Sequence, residues 1–399
     1  MDTETTLQEL RKGWPTLAGA FWGLGFGALT LFFYTQGLFL EPLKHEFGWT
    51  RQQLSPVSLI GGFEIAGASV LVGWLVDRYG SRGPAFVAYI VVAAAFAALG
   101  LIVRSLPLFM LSQLLIIGFG AGNGPANYTS AVNQSFSKAR GLALGIALAG
   151  PGALAILAPP VVAWVIETRG WRAGYLAMSL ATIVSIPIVL GLLSLGNCQR
   201  TAAPGPGPTL PGLSLLGALR KPLYLRLLLC FFLIAAGVGG LTLHMAPILT
   251  DGGYSLVHAA AIQGLIGLSV LVGRLVMGFL VDRIFAPWVA GVASALAAIG
   301  LFLLASLGAD AAPLTAILIG LCMGAEGDVI AYLTARYFGL ASYGQLYGAY
   351  TVGLGSGAFV PALLNGAFHS YGPPLWIAGG VLLVGGALLA TAPRFETAR

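Results

Sequence analysis

Long apolar stretches alternate with short polar ones along the whole chain. A helix needs about 20 apolar residues to cross the hydrocarbon layer of a membrane. Twelve stretches of that order can be drawn, at approximately 16–40, 54–77, 84–103, 106–134, 141–166, 172–195, 222–249, 256–282, 287–307, 312–335, 344–369 and 374–391. Several contain Gly and Pro, which membrane helices accept where neighbours satisfy the freed backbone groups. The first run, Thr16 to Leu40, is longer than the roughly 7–15 residues of a signal-peptide core. It is therefore expected to remain as the first span behind the polar segment Met1 to Pro15. The pattern predicts an all-α polytopic membrane protein with twelve transmembrane helices.

Composition agrees and narrows the function. Of 399 residues, 57% are hydrophobic and 9% charged, against about a quarter charged in soluble domains. That excludes a soluble enzyme, a nucleic-acid binder and a disordered chain. Cys198, Cys230 and Cys322 lie far apart, without CxxC or Cys/His metal spacing. There is no G-x-x-x-x-G-K-[ST] phosphate loop, so no ATP site, cofactor or enzymatic activity is expected. With the N-terminus placed inside, 14 of the 20 Lys and Arg fall inside, five outside, and Arg274 within a span. Basic residues concentrate on the cytoplasmic side, so both termini are expected in the cytoplasm. The net charge of +6 then reflects topology rather than an acidic partner.

A shift of 205 residues aligns the chain with itself. Pro42 meets Pro247, Gly48-Trp49-Thr50 meets Gly253-Tyr254-Ser255, and Gly73-Trp74-Leu75-Val76-Asp77-Arg78 meets Gly278-Phe279-Leu280-Val281-Asp282-Arg283. Further on, Gly122 and Asn123 meet Gly327 and Asp328. The constant offset implies two parallel six-helix halves, 1–195 and 222–399. They are joined by a cytoplasmic linker, 196–221, whose Ala203-Pro204-Gly205-Pro206-Gly207-Pro208 stretch should be extended.

Two parallel six-helix halves are the plan of the major facilitator superfamily. Gly73, Leu75, Asp77, Arg78, Gly80 and Arg82, with the second copy Gly278, Leu280, Asp282 and Arg283, resemble that family's loop signature. The resemblance implies a gate between the halves, carried by Gly73, Asp77, Arg78, Gly278, Asp282 and Arg283. The competing reading is that the two arginines only set topology. Residues 34–56, from Tyr34-Thr35-Gln36-Gly37 to Glu46-Phe47-Gly48-Trp49-Thr50-Arg51, are similar to the first hairpin of bacterial monocarboxylate and oxalate:formate carriers. Gly170-Trp171-Arg172 and Arg336-Tyr337-Phe338-Gly339 resemble the same group.

Four ionisable residues fall inside apolar spans: Glu64, Arg274, Glu326 and Asp328. A charge at the bilayer centre costs at least about 2.5–3.5 kcal/mol, so each must face a cavity or a partner. Arg274 lies eight residues before Asp282, roughly 12 Å into the membrane. Its planar donor fork suits a carboxylate. In the resembling carriers, an arginine in such a Gly-Arg setting binds the substrate carboxylate. Those carriers often have a polar or acidic residue one turn earlier, where this chain has Val270. Asp328 is at about the same depth, and Glu326 is turned roughly 200° from it. The repeat pairs Asp328 and Tyr332 with Asn123 and Asn127, each pair one polar stripe at i,i+4. Asp328 is thus expected beside Arg274, holding it when the site is empty and taking up a proton in the cycle. A static packing pair is the alternative. Glu326 is expected to face a neighbouring helix. Glu64 is either a protonation site or a packing acid. His244 is a candidate proton or anion group, against a structural hydrogen-bonding role. Tyr34, Gln36, Gln263 and Tyr350 are further candidate lining groups.

Together these features imply a secondary transporter of a small organic anion, a monocarboxylate by the resemblance, in a bacterial cytoplasmic membrane. A proton gradient or a counter-anion would drive it, and a monomer in membrane lipid is expected. The rival readings are a proton-coupled exporter of drug-like or cationic compounds on the same fold, and a non-transporting sensor.

Overall fold

The computed structural model describes residues 6–49, 67–196, 212–254, 256–367 and 371–395. Glu64, most of the linker (197–211) and the Thr50-Arg51 end of the hairpin signature lie outside them. The described residues are helical, with a single isolated bridge between Gly212 and Gly339. In chain order the helices are α1 (Thr6–Gly25), α2 (Ala28–Thr35), α3 (Leu40–Phe47), α4 (67–79), α5 (Arg82–Leu101), α6 (Leu106–Gly120), α7 (Pro125–Ser135) and α8 (Arg140–Arg169). They continue with α9 (Trp171–Leu195), α10 (Leu215–Leu219), α11 (Pro222–Asp251), α12 (Leu256–Val281), α13 (Ala286–Leu307), α14 (Ala312–Phe338), α15 (Tyr343–Ala367) and α16 (Gly372–Ala390).

Among the described residues, eight helical stretches are long and apolar enough to cross a membrane. One of them, Ala286–Phe338, runs through two of the predicted spans. The second predicted span lies largely outside the described residues. The first differs from expectation in two ways. α1 begins at Thr6, well before the apolar run. Glu9 explains the extension: its carboxylate accepts from the backbone N–H groups of Ser137 (2.6 Å) and Lys138 (3.0 Å), which ties the polar turn down. The apolar run is then interrupted at Phe26-Gly27.

The fourth predicted span is also discontinuous. It breaks at a 3-10 turn, Ala121–Asn123, followed by extended Gly124 and by Pro125, which has no N–H to continue the ladder. Side chains take up carbonyls at both breaks. Asn127 Nδ2 donates to Gly122 O at 2.7 Å, and Thr30 Oγ1 donates to Leu24 O at 2.8 Å. The two breaks meet, because a Cβ on Gly27 would stand 3.0 Å from Asn123 O.

The contacts divide the chain into two compact units. The first is 1–138, 147–211 and 340–349; the second is 139–146, 212–339 and 350–399. Each therefore contains a short segment of the opposite sequence half. In the first unit α5 packs on α9 and α6, and α1 on α9 and α7. In the second, α12 packs on α14, and α13 on α14 and α16.

The hairpin signature is explained inside the first unit. Glu46, at the end of α3, accepts from Trp171 Nε1 at 2.5 Å and from Arg172 Nη2 at 2.7 Å. The Arg172 guanidinium lies over the Trp171 ring at 4.4 Å. Phe47, Trp49, Phe109 and Trp171 continue the contact as an aromatic chain. Gly48 closes α3 at φ 68° and Gly170 opens α9 at φ 83°, conformations that glycine adopts without strain. The two signature segments, more than 120 residues apart in sequence, are thus one staple.

Hydrogen bonds from the Trp171 indole and the Arg172 guanidinium hold the Glu46 carboxyl below its ordinary range. The unfolded value is near 4.3. The staple's contribution is therefore whole above that pH and is lost as pH falls through the lower folded value. Thermal unfolding followed from about pH 7 to about pH 3 should show a smaller acid loss in Glu46→Gln than in the wild type. Equal losses would contradict this.

Candidate functional site

In the second unit, α12 crosses α14 on glycines. A Cβ on Gly320 would lie 2.6 Å from Ile266 O, and one on Gly324 would lie 2.6 Å from Val270 O and 2.9 Å from Arg274 N. One on Gly273 would lie 2.9 Å from Leu321 O. The start of α8 closes on the same place, since a Cβ on Gly145 would lie 2.5 Å from Arg274 O and 3.4 Å from Asp328 Oδ2. Small residues let membrane helices approach this closely.

Three ionisable groups sit at this crossing. Arg274 is half-buried, and its Nη1 is buried without a hydrogen-bond partner. Asp328 is fully buried, and neither of its oxygens is hydrogen-bonded. Glu326 Oε1 is likewise buried and unpartnered. The Arg274 charge acts on both carboxylates. The expected direct hold of Asp328 on Arg274 is not made: among the described residues no hydrogen bond or ion pair joins them. Glu326, expected to face a neighbouring helix, lies in the field of Arg274 on the packed helix α12, because the glycine crossing brings one long cation close to a wide arc of α14. The face of α12 that carries Arg274 also carries Gly267, two turns earlier, where a Cβ would meet nothing within 4 Å. Gln263, three turns earlier on that face, is half-buried.

The two signature loops have one geometry. Asp77 Oδ1 and Oδ2 accept from Gly344 N (2.8 Å) and Gln345 N (3.1 Å), at the start of α15. Asp282 Oδ1 and Oδ2 accept from Gly141 N (2.7 Å) and Leu142 N (2.9 Å), at the start of α8. The first turn of a helix has N–H groups without internal partners and a positive dipole end. A carboxylate satisfies both, at about 1.5–3 kcal/mol per charge-assisted bond. The glycine one turn before each aspartate lets the helix start approach. A Cβ on Gly73 would lie 2.6 Å from Gln345 N, and one on Gly278 would lie 2.6 Å from Gly141 O. The arginines take no part in these bonds: Arg78 lies over Trp74 and Tyr79, and Arg283 over Phe279 at 3.7 Å.

A sequence profile described as Major Facilitator Superfamily matches residues 21–362. The chain belongs to this superfamily. Human monocarboxylate transporter 11 is 30% identical over 69% of the chain, which spans 57% of that relative's length. Rat monocarboxylate transporter 13 is 26% identical over 96% of the chain and 89% of its own length. Among solved structures, a variant of the E. coli fucose:proton symporter FucP superposes with a TM-score of 0.71 at 14% identity, covering 95% of this chain and 98% of that one. The likeness of fold and the apolar helices make the chain a multi-pass membrane protein of the superfamily.

Within this superfamily fold the remaining predicted residues separate. Tyr332 does not continue the Asp328 stripe. Its ring faces Phe395 at 6.2 Å and Arg336 at 5.8 Å, because a long side chain at i+4 can reach along the helix away from its neighbour. Asn127 is engaged as a structural tie, donating to Ser81 O (3.0 Å) and Gly122 O (2.7 Å) and leaving Oδ1 without a partner. Asn123 accepts from Tyr128 OH at 3.1 Å, and its Nδ2 is buried and unpartnered. Tyr350 is buried against Tyr224 and Phe231 with its hydroxyl unpartnered. Tyr34 and Gln36 are exposed. His244 falls within α11, and its side chain lies outside the described set. Tyr89, Tyr128 and Ser81 were not singled out from the sequence. They belong to the tie around the α6–α7 break, and their signal was the Gly-Pro interruption beside Asn123.

The aspartate bonds make a separable prediction. Asp282→Asn should speed amide exchange in peptides covering 140–143 by about tenfold, and Asp77→Asn should do so in peptides covering 343–347. Arg283→Gln should leave 140–143 unchanged. Exchange unaffected by the aspartate changes, measured by mass spectrometry, would contradict the assignment.

Proposed function

We propose that the chain is a secondary transporter that moves a small organic anion, a monocarboxylate, by alternating access and in step with protons. The proposal has twelve spans, both termini in the cytoplasm, and a site built on Arg274. The observation that carries it is the unpartnered Arg274 Nη1 beside the two unpartnered oxygens of buried Asp328. Polar atoms are left unmet in an apolar layer at a cost of several kcal/mol. A substrate carboxylate offers two acceptors in the geometry the guanidinium fork accepts.

Charge supports the coupling. One cation stands against two carboxylates, Glu326 and Asp328. An anion entering this site meets a surplus of negative charge unless the acids take up protons. Binding the anion and binding a proton therefore favour each other. Asp328 is the principal proton carrier in this reading, and Glu326 the second. The aspartate–helix bonds at Asp77 and Asp282 act as the gate, because both can open only by exposing helix N–H groups. The names of the similar relatives, monocarboxylate transporters 11 and 13, support the substrate class.

Protein reconstituted in proteoliposomes should accumulate at least one of labelled acetate, lactate, pyruvate and benzoate under an inward proton gradient. Arg274→Ala, purified as a monodisperse and folded protein, should lose that uptake by more than about tenfold, as loss of a buried charge partner predicts. Uptake that survives in Arg274→Ala would overturn the site. Export of a cationic dye that Arg274→Ala leaves intact and Asp328→Asn abolishes would overturn the substrate class.

A further inference from the structure

Away from the Arg274 site, α4, α5 and α6 enclose an apolar groove of about 660 Å³. Leu71, Leu75, Val87 and Phe119 form its walls, and among the described residues no charged one lines it. It opens outward: Leu71 is 58% exposed and Val87 51%. It runs beside α4 from Gly67 to Tyr79, twelve residues or roughly 18 Å of helix. That is close to the depth of one leaflet of a hydrocarbon core about 30 Å thick.

The mouth of the groove is not apolar. Tyr79 lines the groove, and its ring also lies 5.6 Å from the Arg78 guanidinium. Trp74 flanks Arg78 at 5.5 Å and meets Tyr79 edge-on at 6.4 Å. Arg78 is exposed, and among the described residues no carboxylate pairs with it. The adjacent acid, Asp77, is engaged by two backbone N–H groups of α15. Arg82, one turn on, donates to the Ser194 hydroxyl. A cation between two aromatic rings at a helix end is the arrangement that meets lipid headgroups. In the second copy of the loop Arg283 keeps a ring neighbour in Phe279, but Ile284 stands where the first has Tyr79, so the ring that both borders the groove and meets the cation is a feature of the first.

We infer that this groove holds one acyl chain of an anionic phospholipid whose phosphate sits on Arg78. Charge complementarity selects the headgroup, and the groove fixes the chain. Tyr79 joins the two parts, since one ring both borders the chain and supports the cation.

The test is lipid retention by the whole protein. Protein reconstituted in nanodiscs of equal phosphatidylglycerol and phosphatidylcholine, with identical acyl chains, is extracted and washed, and retained lipid is counted by native mass spectrometry. The wild type should retain phosphatidylglycerol over phosphatidylcholine by about fivefold, the selectivity one interfacial arginine supplies. Arg78→Gln should bring the ratio close to one. Gly83→Leu places a side chain in the groove from a position where a Cβ meets nothing within 4 Å. It should lower retention of both lipids several-fold without changing the unfolding temperature in detergent. Leu71→Trp narrows the groove from the opposite wall and should act in the same way. A headgroup ratio unchanged by Arg78→Gln overturns the inference, as does retention unchanged by both groove substitutions.

Discussion

A charge in the hydrocarbon layer or at its edge has to be compensated, and much of this structure follows from how its few charges meet that demand. At Asp77 and Asp282 the compensation is internal: each carboxylate takes two N–H groups from the start of a helix. At Arg274, Glu326 and Asp328 it is incomplete, with buried atoms of all three lacking hydrogen-bond partners. A folded protein keeps few such atoms, and those it keeps call for an explanation. A ligand that carries the missing acceptors, together with a proton, meets that requirement. The Asp77 and Asp282 carboxylates are thus satisfied within the fold, and those of Glu326 and Asp328 are left open to a ligand.

Glycine makes both arrangements reachable. Gly73 and Gly278 stand one turn before their aspartates and allow a helix start to lie against the backbone. Gly145, Gly273 and Gly324 do the same around Arg274 and Asp328. The start of α8 therefore carries two duties within one unit. Gly141 and Leu142 bond Asp282, and Gly145, one turn on, rests against Arg274 O and Asp328 Oδ2. A displacement of this turn that releases the Asp282 bonds also changes what covers Asp328.

The apolar pattern made the helical architecture legible, and the 205-residue repeat picked out the Gly-x-x-x-Asp loops. The spacing was informative because it is the i,i+4 geometry of one helix face, which periodicity encodes directly. That Arg274 and Asp328 share one level of the helix crossing could be counted from the loops for the same reason. Side-chain direction was less legible. Helical rotation set Glu326 apart from Asp328, but the glycine crossing, a tertiary feature, brought both acids into the field of Arg274. Tyr332 shared a face with Asp328 by spacing, and its ring extended instead toward Phe395. The breaks at Phe26-Gly27 and Ala121–Gly124 lay inside continuous apolar runs. Hydropathy averages over such breaks, and only the side chains that absorb the freed carbonyls, Thr30 and Asn127, reveal them.

In the proposed mechanism Arg274 and Asp328 bind an anion and a proton as one event. Calorimetric titration of the purified protein with whichever of acetate, lactate, pyruvate and benzoate it accumulates in proteoliposomes, in two buffers of different ionisation enthalpy, is the test. At about pH 8, well above the ordinary carboxylate range, uptake of about one proton per anion bound is expected. No uptake is expected in Asp328→Asn that still binds. Anion binding to the wild type with no proton uptake, or with proton release, would contradict the claim.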